Sequence, residues 1–254
     1  MPADYFFREY LPVGARRARG ALELRRLLRA EKRRAAPIVV DGRKIVRTFW
    51  GRAWCENLER YSDFASRLPR GRSYARNGSV LDLQIVPGAA RAYVAGYELY
   101  TVDVSIAPLP ARRWRGVVCA CGSEIGSVIG LLRGELPDDV LAVLTDGRRG
   151  LFPEPREIRM RCSCPDAAVM CKHVAATLYG VGVRLDQRPE LFFTLRQVNQ
   201  EDLVQGAATR DVLGVTTRRK NGAKRIASDE LESIFRIEML PEAEVVKPTR
   251  PRGR

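Results

Sequence analysis

Arg161-Cys162-Ser163-Cys164-Pro165-Asp166-Ala167-Ala168-Val169-Met170-Cys171-Lys172-His173 places three of the six cysteines and the single histidine of the chain in one short stretch. Zinc takes four such sulfur and nitrogen ligands in a tetrahedron, at about 2.3 Å to thiolate and about 2.0–2.1 Å to imidazole. In a reducing compartment, clustered cysteines bind metal more readily than they form disulfides. Cys162 and Cys164 converge where the chain turns, and Pro165-Asp166 supplies the turn. At 3.6 residues per turn, positions two apart on a helix are about 200° apart around its axis. Cys171 is therefore expected in an extended lead-in, with His173 in the first turn of a helix running to Val183. The predicted unit is a small ββα finger whose ligands are Cys162, Cys164, Cys171 and His173. Three thiolates around Zn²⁺ carry about −1 in total, and Arg159, Arg161 and Lys172 are close enough in sequence to offset it. A closed four-ligand set leaves no position for a reactive water, which disfavours hydrolysis at the metal. The residues alone also leave open an unmetallated cluster of redox-active thiols.

Working outward, the flanking sequence reads as mixed helix and strand. Trp50, Trp54, Leu58 and Tyr61 recur at three- and four-residue steps, predicting a helix over Thr48 to Tyr61. The Leu68-Pro69-Arg70-Gly71-Arg72 stretch reads as a break, and Asn77-Gly78 as a turn. Alternation at Leu81, Leu83 and Ile85, the return over Arg91–Gly96 after Pro87-Gly88, and alternation at Val102, Val104 and Ile106 predict a short antiparallel meander. Past Pro110 the period becomes helical, with a stripe from Val117 through Cys121 to Leu132 closed by Gly134, then a short helix from Pro137. Glu157 to Arg161 reads as a strand leading into the cysteines, and Ser228 as the cap of a last helix. The expected class is α+β. A basic N-terminal extension (1–44) precedes a helix and β-meander region (45–110), a helical region (111–150) and the finger with its following helix (151–204). A basic C-terminal extension (205–254) closes the chain, and both ends are expected to be flexible.

The 254 residues carry a formal net charge of +14 from 44 Lys+Arg against 30 Asp+Glu. That excess sits at the two ends, around a near-neutral middle. The N-terminal block sets Arg16, Arg17, Arg25, Arg26, Arg33 and Arg34 among leucines, as in a basic amphipathic helix. Arg67, Arg70, Arg72 and Arg76 surround Tyr74 and form a second candidate contact for phosphate. A solvated face is the alternative for each set. No apolar run is long enough to span a membrane, and no secretory leader is visible, so a cytoplasmic protein is expected. One histidine excludes a three-histidine zinc hydrolase. Walker-type and dinucleotide-binding loops are missing from the sequence, so no small-molecule substrate is expected. Cys55 and the Cys119-Ala120-Cys121 pair read as core thiols, and Trp50, Trp54 and Trp114 as core aromatics.

The Cys-x-Cys-x₆-Cys-x-His pattern of Cys162, Cys164, Cys171 and His173 resembles the SWIM zinc finger. Further stretches are similar to stand-alone bacterial SWIM proteins, among them Trp54 with Asn57-Leu58-Glu59, Arg67 to Arg72, Arg76 to Val80, Gly150-Leu151-Phe152-Pro153 and Cys171 to Ala176. Together they cover roughly 45 to 204. The resemblance implies one structural zinc, no catalysis by the finger, and binding to DNA or to protein partners such as a Swi2/Snf2-type ATPase. The expected function is a non-enzymatic adaptor that binds DNA through its basic ends. A purely protein-binding module and a thiol-based redox sensor are the alternatives.

Overall fold

The computed structural model describes residues 11–60, 66–121, 128–203 and 205. The chain divides into two units, Met1–Asp211 and Val212–Arg254, and every described residue belongs to the first. The expected helix from Ser228 lies outside the described residues, as does all of the basic C-terminal extension after residue 205.

Three strands form the predicted meander: β1 (Val80–Val86), β2 (Ala89–Ala95) and β3 (Leu99–Ile106). A fourth, β4 (Ile158–Cys162), pairs antiparallel with β3 to complete a sheet in the order β1-β2-β3-β4. Gly88 turns the first hairpin at φ +70°, a conformation that costs residues with a Cβ. The register decides which side chains share a face. Leu83, Ala92, Val102 and Cys162 form one row across the sheet, and Ile85, Ala90, Val104 and Met160 form another. Both rows belong to the hydrophobic core. On the opposite face, Gln84, Arg91, Asp103 and Arg161 form a polar row.

Helix α7 (Lys172–Gln187), buried over most of its length, packs on the core face of the sheet. Two further helices, α2 (Phe49–Glu59) and α3 (Leu68–Arg76), pack against it. Thr48 caps α2, and Asp186 near the end of α7 accepts from the Thr48 backbone at 3.0 Å and its hydroxyl at 2.6 Å. Trp50 and Trp54 are core residues, as expected, and their indoles donate to the Leu131 and Leu178 carbonyls at 3.0 and 2.8 Å. Trp114 is likewise buried and donates to Asp202 at 2.8 Å. The remaining helices are α4 (Ala111–Cys121), α5 (Val128–Arg133), α6 (Asp138–Thr145) and α8 (Glu190–Arg196). Cys121 is buried and Cys119 exposed, so the two thiols lie on different faces of α4.

Two findings correct the sequence reading. Arg67 to Arg72 does not break the pattern but runs into α3. Pro69 sits within the first turn, where no intrahelical N–H is required of it. Gly71 is the crossing point of α3 on α7: a Cβ there would lie 2.8 Å from the Ala175 carbonyl carbon and 2.9 Å from the Ala176 nitrogen. Both residues look like breakers in sequence, and here one starts the helix while the other lets it approach its neighbour. The second correction concerns the N-terminal block. Val13–Ala30 is one helix, α1, lying on the polar side of the sheet, with Leu24 and Leu28 buried against Leu81 and Ala95. Full burial of a leucine is worth about 1.5–3 kcal/mol, so this basic segment is part of the folded unit rather than a flexible end.

Close packing at Gly71 predicts that Gly71→Ala destabilises the protein by about 1–3 kcal/mol, because the backbone of α7 must move. At Gly116 on the exposed face of α4 nothing lies within 4 Å of an added Cβ. Gly116→Ala should therefore stabilise by about 0.4–1 kcal/mol. Urea unfolding followed by circular dichroism checks both signs.

Candidate metal centre

Strand β4 delivers Cys162 at its last residue, in the core-facing row of the sheet. The chain then leaves the sheet, with Ser163 still bound to Thr101 of β3 through its backbone N–H and its hydroxyl, both at 3.0 Å. Asp166 shapes the following loop. One of its oxygens accepts from the Ala168 backbone at 3.1 Å, and the other pairs with Arg67 at the start of α3, also at 3.1 Å. Cys171 is the extended N-cap of α7, at φ −82° and ψ 171°, and His173 occupies the first helical turn. This is the arrangement that the Cys-x-His spacing predicts. The two strands of the ββα unit are β3 and β4, so its first strand comes from the meander, ahead of α4, α5 and α6.

The ligand atoms of Cys162, Cys164, Cys171 and His173 lie within 4.8 Å of one another and can hold a metal ion. Nδ1 of His173 is 3.9 Å from the Cys162 sulfur and 3.8 Å from the Cys171 sulfur. A tetrahedral ion with the usual bond lengths needs edges of about 3.5–3.8 Å, so a small contraction of the cluster suffices. The opposite ring nitrogen, Nε2, is buried and has no hydrogen-bond partner among the described residues. With Nδ1 aimed at the sulfurs, the imidazole is oriented by packing. Tyr100 lies over it with ring centroids 4.4 Å apart, and Tyr74 meets it edge-on at 5.5 Å. Gly96 leaves room for Nε2, because a Cβ there would sit 2.9 Å from that atom. Neither Gly96 nor the two tyrosines stands out as a metal-site residue in the sequence; the one available cue is a glycine ending a strand opposite the ligand helix, which only the fold reveals.

Proton affinity in the cluster is divided unequally. The Cys171 thiol is held well below its ordinary value, first by the hydrogen bond from Cys162, then by His173 and the Val174 backbone N–H at the helix start. Cys162 moves the other way because it keeps the proton shared with Cys171, and burial raises Cys164. A divalent cation displaces these protons, so metal affinity must fall as pH falls. The buried thiols outside the cluster differ: burial pushes Cys55 up to about 12 and Cys121 up to about 11, as expected of core residues.

The candidate DNA-contacting arginines fall into two sets. On α3 and at its N-cap, Arg67 pairs with Asp166, Arg72 contacts Glu59 and stacks over Tyr179 at 5.2 Å, and Arg76 donates to the Arg43 carbonyl at 2.6 Å. Arg70 is exposed. On α1, Arg16 donates to the Tyr74 hydroxyl at 3.1 Å, while Arg17, Arg25 and Arg26 are exposed. Just beyond that helix, Arg33 reaches the buried Asp82 at 2.8 Å, and Arg34 is exposed.

Taken together, the chain is an α+β protein with a partly buried Cys₃His cluster capable of holding a metal ion. It is similar to a protein of Mycobacterium tuberculosis (strain ATCC 25618 / H37Rv) named "Uncharacterized protein Rv2102", with 35% identity over 167 residues. That match takes in 65% of this chain and 60% of the other's length. No family model and no solved structure matches the chain.

His173→Ala and Cys171→Ser each remove one ligand and should reduce bound metal far below one equivalent per chain, with a lower melting temperature. Elemental analysis after gel filtration, paired with calorimetry, checks this. For the unmodified protein, metal should be retained at neutral pH and released on acidification, as protons compete for the thiolates.

Proposed function

We propose that this chain is a non-catalytic DNA-binding adaptor of the SWIM type, held together by one structural Zn²⁺. The donor set supports zinc: three thiolates and one imidazole in a closed tetrahedron are its usual structural ligands. Such a set keeps no site for a substrate or a water, which argues for architecture over catalysis. Cys55, Cys121 and the three cysteines of the cluster are free thiols, which suits a reducing, cytoplasmic setting. No helix among the described residues is long and apolar enough to cross a membrane.

The observation that carries the DNA reading is the two-sided character of α1. Leu24 and Leu28 fix one side to the sheet, and Arg17, Arg19, Arg25, Arg26 and Arg29 are exposed on the rest of the helix. A rigid helix presenting cations at helical spacing binds phosphate without the cost of ordering a flexible tail. The α3 set contributes less, since Arg67, Arg72 and Arg76 are already engaged within the protein. The SWIM resemblance adds a protein partner, a Swi2/Snf2-type ATPase.

Binding to a mixed-sequence duplex should weaken linearly in log K against log salt. Replacing Arg25, Arg26 and Arg29 together by Gln should reduce the magnitude of that slope by about 0.9 for each phosphate that is no longer neutralised. Fluorescence anisotropy across a salt series measures it. A salt-independent affinity, or no binding at low salt, would overturn the DNA reading in favour of a purely protein-binding module.

A further inference from the structure

The inner edge of α1 differs from its outer face. Between this helix, the segment that follows it and the start of β1 lies a groove of about 650 Å³. Its floor is apolar, formed by Ala21, Leu24, Leu28, Pro37 and Leu81, and its rim carries Arg25, Arg29, Lys32, Arg33 and Arg34. Among the described residues, no carboxylate lines it. Of the rim cations, Arg33 is already paired with Asp82 at 2.8 Å and with Glu31 at 2.5 Å, which leaves Arg25, Arg29, Lys32 and Arg34 to meet phosphate.

An apolar floor within a ring of cations is poorly matched to duplex DNA, which presents phosphates and base edges but keeps its base faces stacked. It matches a strand whose bases are free to turn inward while its phosphates stay at the rim. We propose that this groove holds single-stranded DNA, with unstacked bases against Pro37, Ala21 and the edges of the otherwise buried Leu24, Leu28 and Leu81, and the backbone along the basic rim. The proposal rests on the DNA reading above and names the form of DNA. Arg33 also lines an adjoining hollow over the polar face of the sheet, but Glu31, Asp82 and Asp103 line that hollow too, so the proposed site is confined to the groove.

The test compares four probes of equal length on the full chain by fluorescence anisotropy: oligo(dT), an abasic single strand with the same number of phosphates, a mixed-sequence duplex and oligo(rU). Oligo(dT) is expected to bind at least tenfold more tightly than the abasic strand, since only the bases reach the floor. Ala35 lies on the exposed lip of the groove, and Ala35→Leu should fill the space. That variant is expected to lose most of the advantage of oligo(dT) over the abasic strand, while keeping its melting temperature, bound metal and duplex affinity. Equal binding of oligo(dT) and the abasic strand overturns the groove assignment, as does an advantage that survives in Ala35→Leu. Tighter binding of oligo(rU) than of oligo(dT) overturns the assignment to DNA. If duplex binds and the base-dependent advantage is missing, the adaptor reading stands and the groove proposal falls. If no probe binds at low salt, both fall.

Discussion

Two cysteines at the end of a strand and a Cys-His pair at the start of a helix must meet within a few ångströms, and much of the described architecture follows from that meeting. Cys162 can face α7 because the register puts it in the same row as Leu83, Ala92 and Val102. A slip of one residue would turn it to the polar side with Arg161. His173 can aim Nδ1 at the sulfurs because Tyr74, Tyr100 and Gly96 leave its ring one orientation. These three residues come from α3, from β3 and from the position after β2. The centre is therefore not a module attached to a domain; it joins the last strand of the sheet to the central helix of the core. In small peptides a structural zinc held by cysteine and histidine contributes about 10–16 kcal/mol of apparent binding energy, comparable to the whole stability of an ordinary domain, so a metal ion held here would bear on the fold as a whole.

Helix α7 carries the consequences inward. It is buried on nearly all sides, so its neighbours must approach closely, and small residues mark where they do. Gly71 meets Ala175, and Gly182 faces Cys55 and Trp54. At its far end, Asp186 accepts from the backbone and hydroxyl of Thr48, the cap of α2. Tyr179 in its middle donates to Glu59 at 2.8 Å, and Arg72 stacks on the same ring. Polar side chains thus connect α2 and α3 to the helix that the metal centre begins. Removing a ligand would be felt through this network as weaker packing across the core, and not only as fraying of the loop between Cys164 and Cys171.

Local patterns made part of this legible in the sequence. The Cys-x-His spacing located the end of the lead-in and the start of α7, because two ligands that close cannot converge from within one regular helix. The alternation at Leu81–Ile85 and Val102–Ile106 located the meander, since a sheet with one core face has a period of two. The pairing of β4 with β3 was not legible, because no local pattern records a partner so distant in sequence. Helix α3 was hidden for a different reason. Pro69 and Gly71 have low helix propensity, and only the tertiary crossing on α7 explains why a glycine is needed there. The folded state of the N-terminal block was hidden by its charge, since six arginines in α1 mask two leucines at the spacing that packs.

That last point bears on how the surface charge can act. A basic tail that stays unfolded binds phosphate from any direction and must be ordered each time. A helix held by Leu24 and Leu28 has met that cost in folding and offers its cations at fixed distances. It also has a second side: where the following segment returns toward β1, the same rim cations border the groove between helix and segment, whose lining is otherwise apolar. Charge alone would distinguish nucleic acid from other polymers only by sign. Charge arranged around an apolar floor distinguishes strands by whether their bases can leave the stack, and that distinction depends on α1 being packed in place rather than on its composition.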